Sequence, residues 1–194
     1  QAEAARLMTK ANARLQREDT AGARQALEQA TALDPRLAEA ELILGQMDDR
    51  AGEHDKAIER YRRVLALRPA HPAAMNNLAF LLATHKPAAI QEALALARKA
   101  FTVARGNSTV ADTLAWVLHL SGDDAEARPF SLLASRNAPD SAEIQLHAAT
   151  IDEAVGALDT AARQLARAIE LDPTLDTGPE VKRLRAKLGR TARP

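Results

Sequence analysis

Small residues return along this chain at a fixed interval. Ala23, Ala57, Ala93, Ala127 and Ala161 are spaced 34, 36, 34 and 34 residues apart, and Ala30, Val64, Ala100, Ala134 and Ala168 repeat that spacing. Upstream, Ala11, Gly45, Ala79, Ala115 and Ala149 run 34, 34, 36 and 34. The two orders place one two-residue insertion between Ala79 and Ala93, where His85 to Ala89 read as a lengthened turn. Pro35, Pro69, Pro139 and Pro173 follow the same rhythm, and Arg105 stands where one further proline would fall. Self-similarity at this period is the signature of a repeat architecture.

Each period predicts two helices, A and B, joined by a short turn such as Ala51-Gly52-Glu53 or Ser121-Gly122-Asp123. Glycine suits the left-handed conformation that ends a helix, and a carboxylate after it suits the next N-terminus. The prolines cannot continue helix B and reset the chain for the next repeat. The small columns let A and B approach closely. One such pair cannot bury its apolar face alone, but five stacked pairs can. The repeats run at about 4–37, 38–71, 72–107, 108–141 and 142–175. Pro179 to Leu188 predicts a last helix, with Gly189 after its end, that caps the array over about 176–189; beyond it Arg190 to Pro194 read as a frayed tail.

Composition agrees. The 44 alanines favour helix, whereas aromatics are only 3% and strand-forming residues are thin, so the chain reads as all-α. With 26 basic and 26 acidic residues the net charge is zero, which argues against a dedicated nucleic-acid or membrane-surface binder. The absence of cysteine excludes a disulfide, a thiolate metal site and a cysteine nucleophile. No apolar run approaches the roughly 18 residues of a membrane span, so direct membrane insertion is not expected. The start, Gln1 to Arg6, has neither an initiator methionine nor a signal-peptide core, which points to a segment of a longer protein.

The 34-residue period, the mid-helix small residue, the alanines flanking a large residue and the closing proline resemble the tetratricopeptide repeat. The second repeat carries this best, in Leu44, Gly45, Gly52, Ala57, Tyr61 and Pro69, while Lys10, Ala97 and Ser131 depart from it. The resemblance covers residues 4 to 175 and implies a right-handed superhelix of five helix-turn-helix repeats, with a concave face lined by the A helices. A narrower likeness joins Asn76–Leu82 and Asp112–Leu118 to repeats of bacterial tetratricopeptide proteins linked to exopolysaccharide export and the PEP-CTERM system. That likeness implies a periplasmic or envelope-associated setting in preference to the cytoplasm.

No catalytic signature emerges and no cofactor is implied. The five histidines never stand three to five residues apart, the local spacing of a helical metal pair; His119 and His147 fall on neighbouring A helices, which leaves a composite site open. The pairs Asp48-Asp49 and Asp123-Asp124 lie near turns, where carboxylates solvate a helix end or cap the next helix. There is no glycine-rich phosphate loop and no nucleophile elbow.

The groove columns therefore carry the functional reading. They place Asn12, Gln46, Asp49, Asn76, Phe80, Asp112, Trp116, His119, Thr150 and Glu153 on the concave face. The lining is polar with two aromatics and few cations. Met8, Ala73 and Asn77 occupy places where a chaperone-binding carboxylate clamp would carry cations, and without them the charge-assisted bonds to a terminal carboxylate are lost. The clamp reading is thereby disfavoured. Trp116 is the single tryptophan, in a helix that is apolar nearly all round. The repeat register turns it toward the groove, where it either anchors a partner or packs between adjacent A helices. The expected function is a non-catalytic scaffold holding a peptide or protein segment in the groove. The alternative is an architectural spacer or self-association unit of an envelope or secretion protein, with homo-oligomers open to it.

Overall fold

The computed structural model describes residues 2–191, with side chains through Gly189. Ten helices form five helix-turn-helix pairs: α1 (Ala2–Leu15) with α2 (Thr20–Leu33), α3 (Ala38–Arg50) with α4 (His54–Leu67), α5 (Pro72–His85) with α6 (Ile90–Val103), α7 (Ser108–Leu120) with α8 (Asp124–Asn137), and α9 (Ala142–Ala154) with α10 (Leu158–Leu171). An eleventh, α11 (Pro179–Thr191), follows a 3-10 turn over Pro173–Thr177. No strand occurs among the described residues. The pairs stack into a right-handed α-α superhelix closed at one end by α11. That helix continues through Gly189 to Thr191 rather than stopping before it. The remainder of the tail, 192–194, lies outside the described residues.

Local chemistry sets the helix ends. Side chains of Asp19, Asn107, Asp123 and Ser141 each accept the backbone N–H three residues on. These caps satisfy donors that a helix start leaves orphaned. Asp123 thus caps as expected. Gly52, Gly122 and Gly156 turn the chain at φ of 75°, 89° and 78°. In the first pair the equivalent place is held by Glu18 at φ 61°, a conformation that strains a residue with a Cβ. In the third pair the two-residue insertion becomes a 3-10 turn, Pro87–Ala89.

All fifteen positions of the three small columns are buried. Gly45 shows why the first of them must be small. A Cβ there would lie 2.8 Å from the Tyr61 ring, so the missing side chain lets α3 sit directly on that fully buried phenol. Burial pushes the Tyr61 hydroxyl up to about 12, and its oxygen accepts a hydrogen bond from Asn77 at 3.3 Å. Where Ala97 and Ser131 replace the large residue of that column, Phe101 and Phe130 meet edge to face, 5.0 Å between centroids. At the C-terminal edge Val181 and Leu184 of α11 bury against Ala149 and Leu165, which caps the last pair.

Asp48 corrects the sequence reading. Instead of solvating a helix end it is wholly buried, bonded to Arg24 of α2 at 2.5 Å and Arg60 of α4 at 2.6 Å. Arg60 and Arg63 also reach the buried Glu41, at 3.0 and 3.4 Å. Burial alone would raise the Asp48 carboxyl, but the two guanidiniums outweigh it and hold the group below its usual range. This ionic joint ties the first repeat to the second.

Candidate binding groove

The A helices of the later repeats pack side by side, α7 touching both α5 and α9. Their shared face carries a depression of about 180 Å³. Asp49 of α3, Asn76 and Phe80 of α5, and Asp112 of α7 line it together with Thr109 and Glu143. Residues one repeat apart in sequence are thus gathered into one site, because each falls on the same stripe of successive helices.

Asp112 is buried and accepts a hydrogen bond through Oδ2 from Nδ1 of the buried His147 of α9, at 2.9 Å. Burial pushes the imidazolium down, but the hydrogen bond and charge of Asp112, with Glu143 and Glu180 nearby, raise His147 above its usual value. His147 in turn stacks on Trp116, with ring centroids 4.1 Å apart and planes 17° from parallel. Phe80 approaches the same imidazole at 6.5 Å. His119 lies 5.1 Å from the indole and pairs with Asp124 at 2.5 Å. The two histidines flank Trp116, yet each serves a different carboxylate. No group of three or more metal-ligating side chains occurs among the described residues.

Trp116 is half-buried. It packs on the next A helix through His147 and also lines a second depression of about 340 Å³ with Ala83, Thr84, Pro87, Ile90 and Leu120. This hollow lies one helical turn from the first along both α5 and α7. The indole is therefore partly a packing element between repeats and partly a wall open to a ligand.

The other residues of the stripe have different surroundings. Asn12 is exposed on α1. Gln46 lines a separate, wider depression of about 840 Å³ between the first two repeats, among Leu15, Ile43, Met47, Arg24 and Arg50. Asp49 also meets His54 at 3.3 Å, and His54 stacks on His85 at 3.7 Å. Thr150 and Glu153 face the capping helix instead of open groove. Thr150 is buried and donates to Glu180 at 2.8 Å, while Glu153 receives Arg183 and Lys187, both at 2.9 Å. Helix α11 thus closes the C-terminal end of the stripe.

His147 is not among the groove residues expected from the columns. It stands 35 residues after Asp112, one period plus one, so it projects beside the stripe and toward the preceding helix. An acid and a histidine at that offset are the signal that would have paired them. Asn77 and Thr113 also line the first hollow, next to their predicted neighbours Asn76 and Asp112.

No family profile matches the chain, and no curated protein does. Solved structures do. The chain is similar to MamA residues 41 to the end from Desulfovibrio magneticus RS-1, with a TM-score of 0.71 and 18% identity over 90% of this chain and 98% of that one. It is also similar to TTC0263, described as a thermophilic TPR protein of Thermus thermophilus, at a TM-score of 0.67 and 20% identity over 95% and 98%. YrrB, described as a TPR protein with an unusual peptide-binding site, matches at 0.62 and 17% over 87% and 93%. With its helix pairs, small-residue columns and capping helix, the chain has the fold of a tetratricopeptide repeat solenoid.

Proposed function

We propose that the chain is a non-catalytic interaction scaffold that holds a peptide or protein segment across α5, α7 and α9. The observation that carries this reading is the convergence of Asp49, Asn76, Phe80 and Asp112 in one hollow, with the Trp116 hollow one turn away. Two adjacent concavities with aromatic walls, one polar and one largely apolar, suit consecutive side chains of an extended segment. A half-buried aromatic among polar groups is the usual composition of an energetic hot spot. YrrB, a neighbour in fold, is described as having an unusual peptide-binding site, which supports a peptide as the class of partner here. On this reading the chain itself turns over no substrate.

The test is titration of a partner isolated on the native chain, repeated with Phe80→Ala and with Trp116→Ala. Each substitution weakens binding by more than about 1 kcal/mol if its ring is a hot spot. Unchanged affinity in both variants sinks the groove reading.

One observation favours a second reading. Leu33, Leu67 and Val103 occupy one column at the ends of successive B helices, and all three are exposed. A periodic apolar row suits self-association in an architectural or secretion protein. Light scattering across a concentration series decides, because the spacer stays monomeric and the self-associating unit does not.

A further inference from the structure

We infer that the hollow between α5, α7 and α9 is a recognition site for a cationic side chain, an arginine of the bound segment. This rests on the groove reading and names the chemistry of its occupant.

Two independent observations meet there. Asn76 Oδ1 and Asp112 Oδ1 are buried acceptors without any hydrogen-bond partner, on residues that are each only 6% exposed and that both line the hollow. Buried polar groups are rarely left unpaired, because each orphan costs the desolvation of that atom. Two acceptors on adjacent helices thus call for one donor-rich group between them.

The second observation is charge. Asp49, Asp112 and Glu143 supply three carboxylates to the lining, and no lysine or arginine lines it. Histidine offsets this only in part: His147 engages Oδ2 of Asp112 and leaves Oδ1 open, and His54 contacts Asp49 from its own helix. Of the remaining polar lining, Asn77 is engaged with Asn76 and Tyr61, and Thr109, Thr113 and Ser141 offer hydroxyls that can accept as well as donate.

Size and shape select the occupant. A volume of about 180 Å³ is below the range of roughly 300–1,000 Å³ typical of small-molecule sites, and matches one long side chain. A guanidinium offers five donors in a fixed plane, enough to reach both orphan oxygens and a flanking carboxylate. Phe80 supplies an aromatic wall on which such a plane stacks favourably. An ammonium has three donors and no plane, so lysine binds here more weakly than arginine.

The experiment uses the full chain, isotopically labelled, and acetylated, amidated decapeptides of glycine, serine and alanine with one central Arg, Lys, Gln or Glu. Nuclear magnetic resonance follows the side-chain amides of Asn76 and Asn77 and the indole N–H of Trp116. The arginine peptide is expected to shift the asparagine amides and bind at least tenfold more tightly than the glutamine peptide, with lysine between them and glutamate weakest. Glu143→Gln, at an exposed position that makes no hydrogen bond or ion pair among the described residues, is expected to cut that preference several-fold with little change in the melting curve. Asp112→Asn is expected to abolish it, and because it also touches His147 its fold is checked by the unchanged resonances of α1 to α4. Equal shifts from the arginine and glutamine peptides overturn the cation site and leave the groove reading standing. Shifts from no peptide, or shifts confined to other faces, overturn the cation site as well; the groove reading is then decided by the Phe80 and Trp116 variants against the native partner.

Discussion

One structural column is ionic at the two ends of the solenoid and apolar in its middle. Its positions are Asp48, Leu82, Leu118 and Asp152, each facing the B helix of the preceding repeat and that of its own. At the N-terminal joint Asp48 takes Arg24 and Arg60; at the C-terminal joint Asp152 takes Arg128 at 2.7 Å. In the central joints the same positions hold Leu82 with Ile58 and Leu96, and Leu118 with Leu94 and Phe130, all in or against the largest core cluster. Burial of apolar surface gives the middle a continuous core without the desolvation that charges demand. The groove hollows lie over that apolar middle.

The contrast can be broken by exchange. Asp48→Ala removes the buried carboxylate that joins Arg24 to Arg60, which keep only Glu28 and Glu41, and is expected to cost about 3 kcal/mol in urea denaturation, the low end of the loss seen when one partner of a buried pair is removed. Copying the third repeat, Asp48→Leu with Arg24→Ile and Arg60→Leu, is expected to recover much of that loss, the remainder coming from the buried Glu41, which keeps only Arg63. If the triple variant falls as far as the single one, the columns are not interchangeable.

The C-terminal joint is looser, because Arg128 is 40% exposed and Gln164 stands where Arg60 does. Asp152→Ala is expected to cost less, about 1.5–3 kcal/mol by the same assay. A third exchange concerns the helix contact at Gly45. Gly45→Ala drives a methyl into the Tyr61 ring and is expected to cost about 1–3 kcal/mol. Adding Tyr61→Leu restores most of it, since the first and last repeats pair Ala11 with Leu27 and Ala149 with Leu165 in these columns.

Titration probes the link between the central and last repeats. His147 is raised, so its pairing with Asp112 contributes stability that is fully present below pH 6.5 and is lost as pH rises through the higher folded value. His85, lowered by burial and by His54, acts in the opposite sense. The readout is therefore the difference between the native chain and Asp112→Asn at pH 5.5 and pH 8. The native advantage is expected to be larger at pH 5.5, and an advantage that grows toward pH 8 contradicts the assignment. The smallest effect is at the first turn, where Glu18→Gly relieves the positive φ and is expected to raise stability by about 0.5–1 kcal/mol.

Much of this is legible in the sequence, because periodic information is redundant. The small columns and the helix pairs follow from spacing repeated five times, and the capping helix from the proline at its first turn. What escapes is what occurs once. Asp48 and Asp49 look alike as residues near a turn, and only Arg24, one joint back, distinguishes the buried one. Thr150 and Glu153 sit in the groove columns, but α11 lies outside the period and covers them, so no column could place its arms. The register assigns Trp116 to the groove stripe, but the stacking of His147 upon it depends on a side chain one position off that stripe.

On the proposed function, the concave face and not the exposed row on the B helices receives the partner. Site-specific photocrosslinking in the native host tests this most directly, with benzoylphenylalanine placed at Trp116 in one variant and at Leu33 in another. A discrete adduct is expected from position 116, suppressed by Glu143→Gln, and none from position 33. An adduct from position 33 alone would contradict that function.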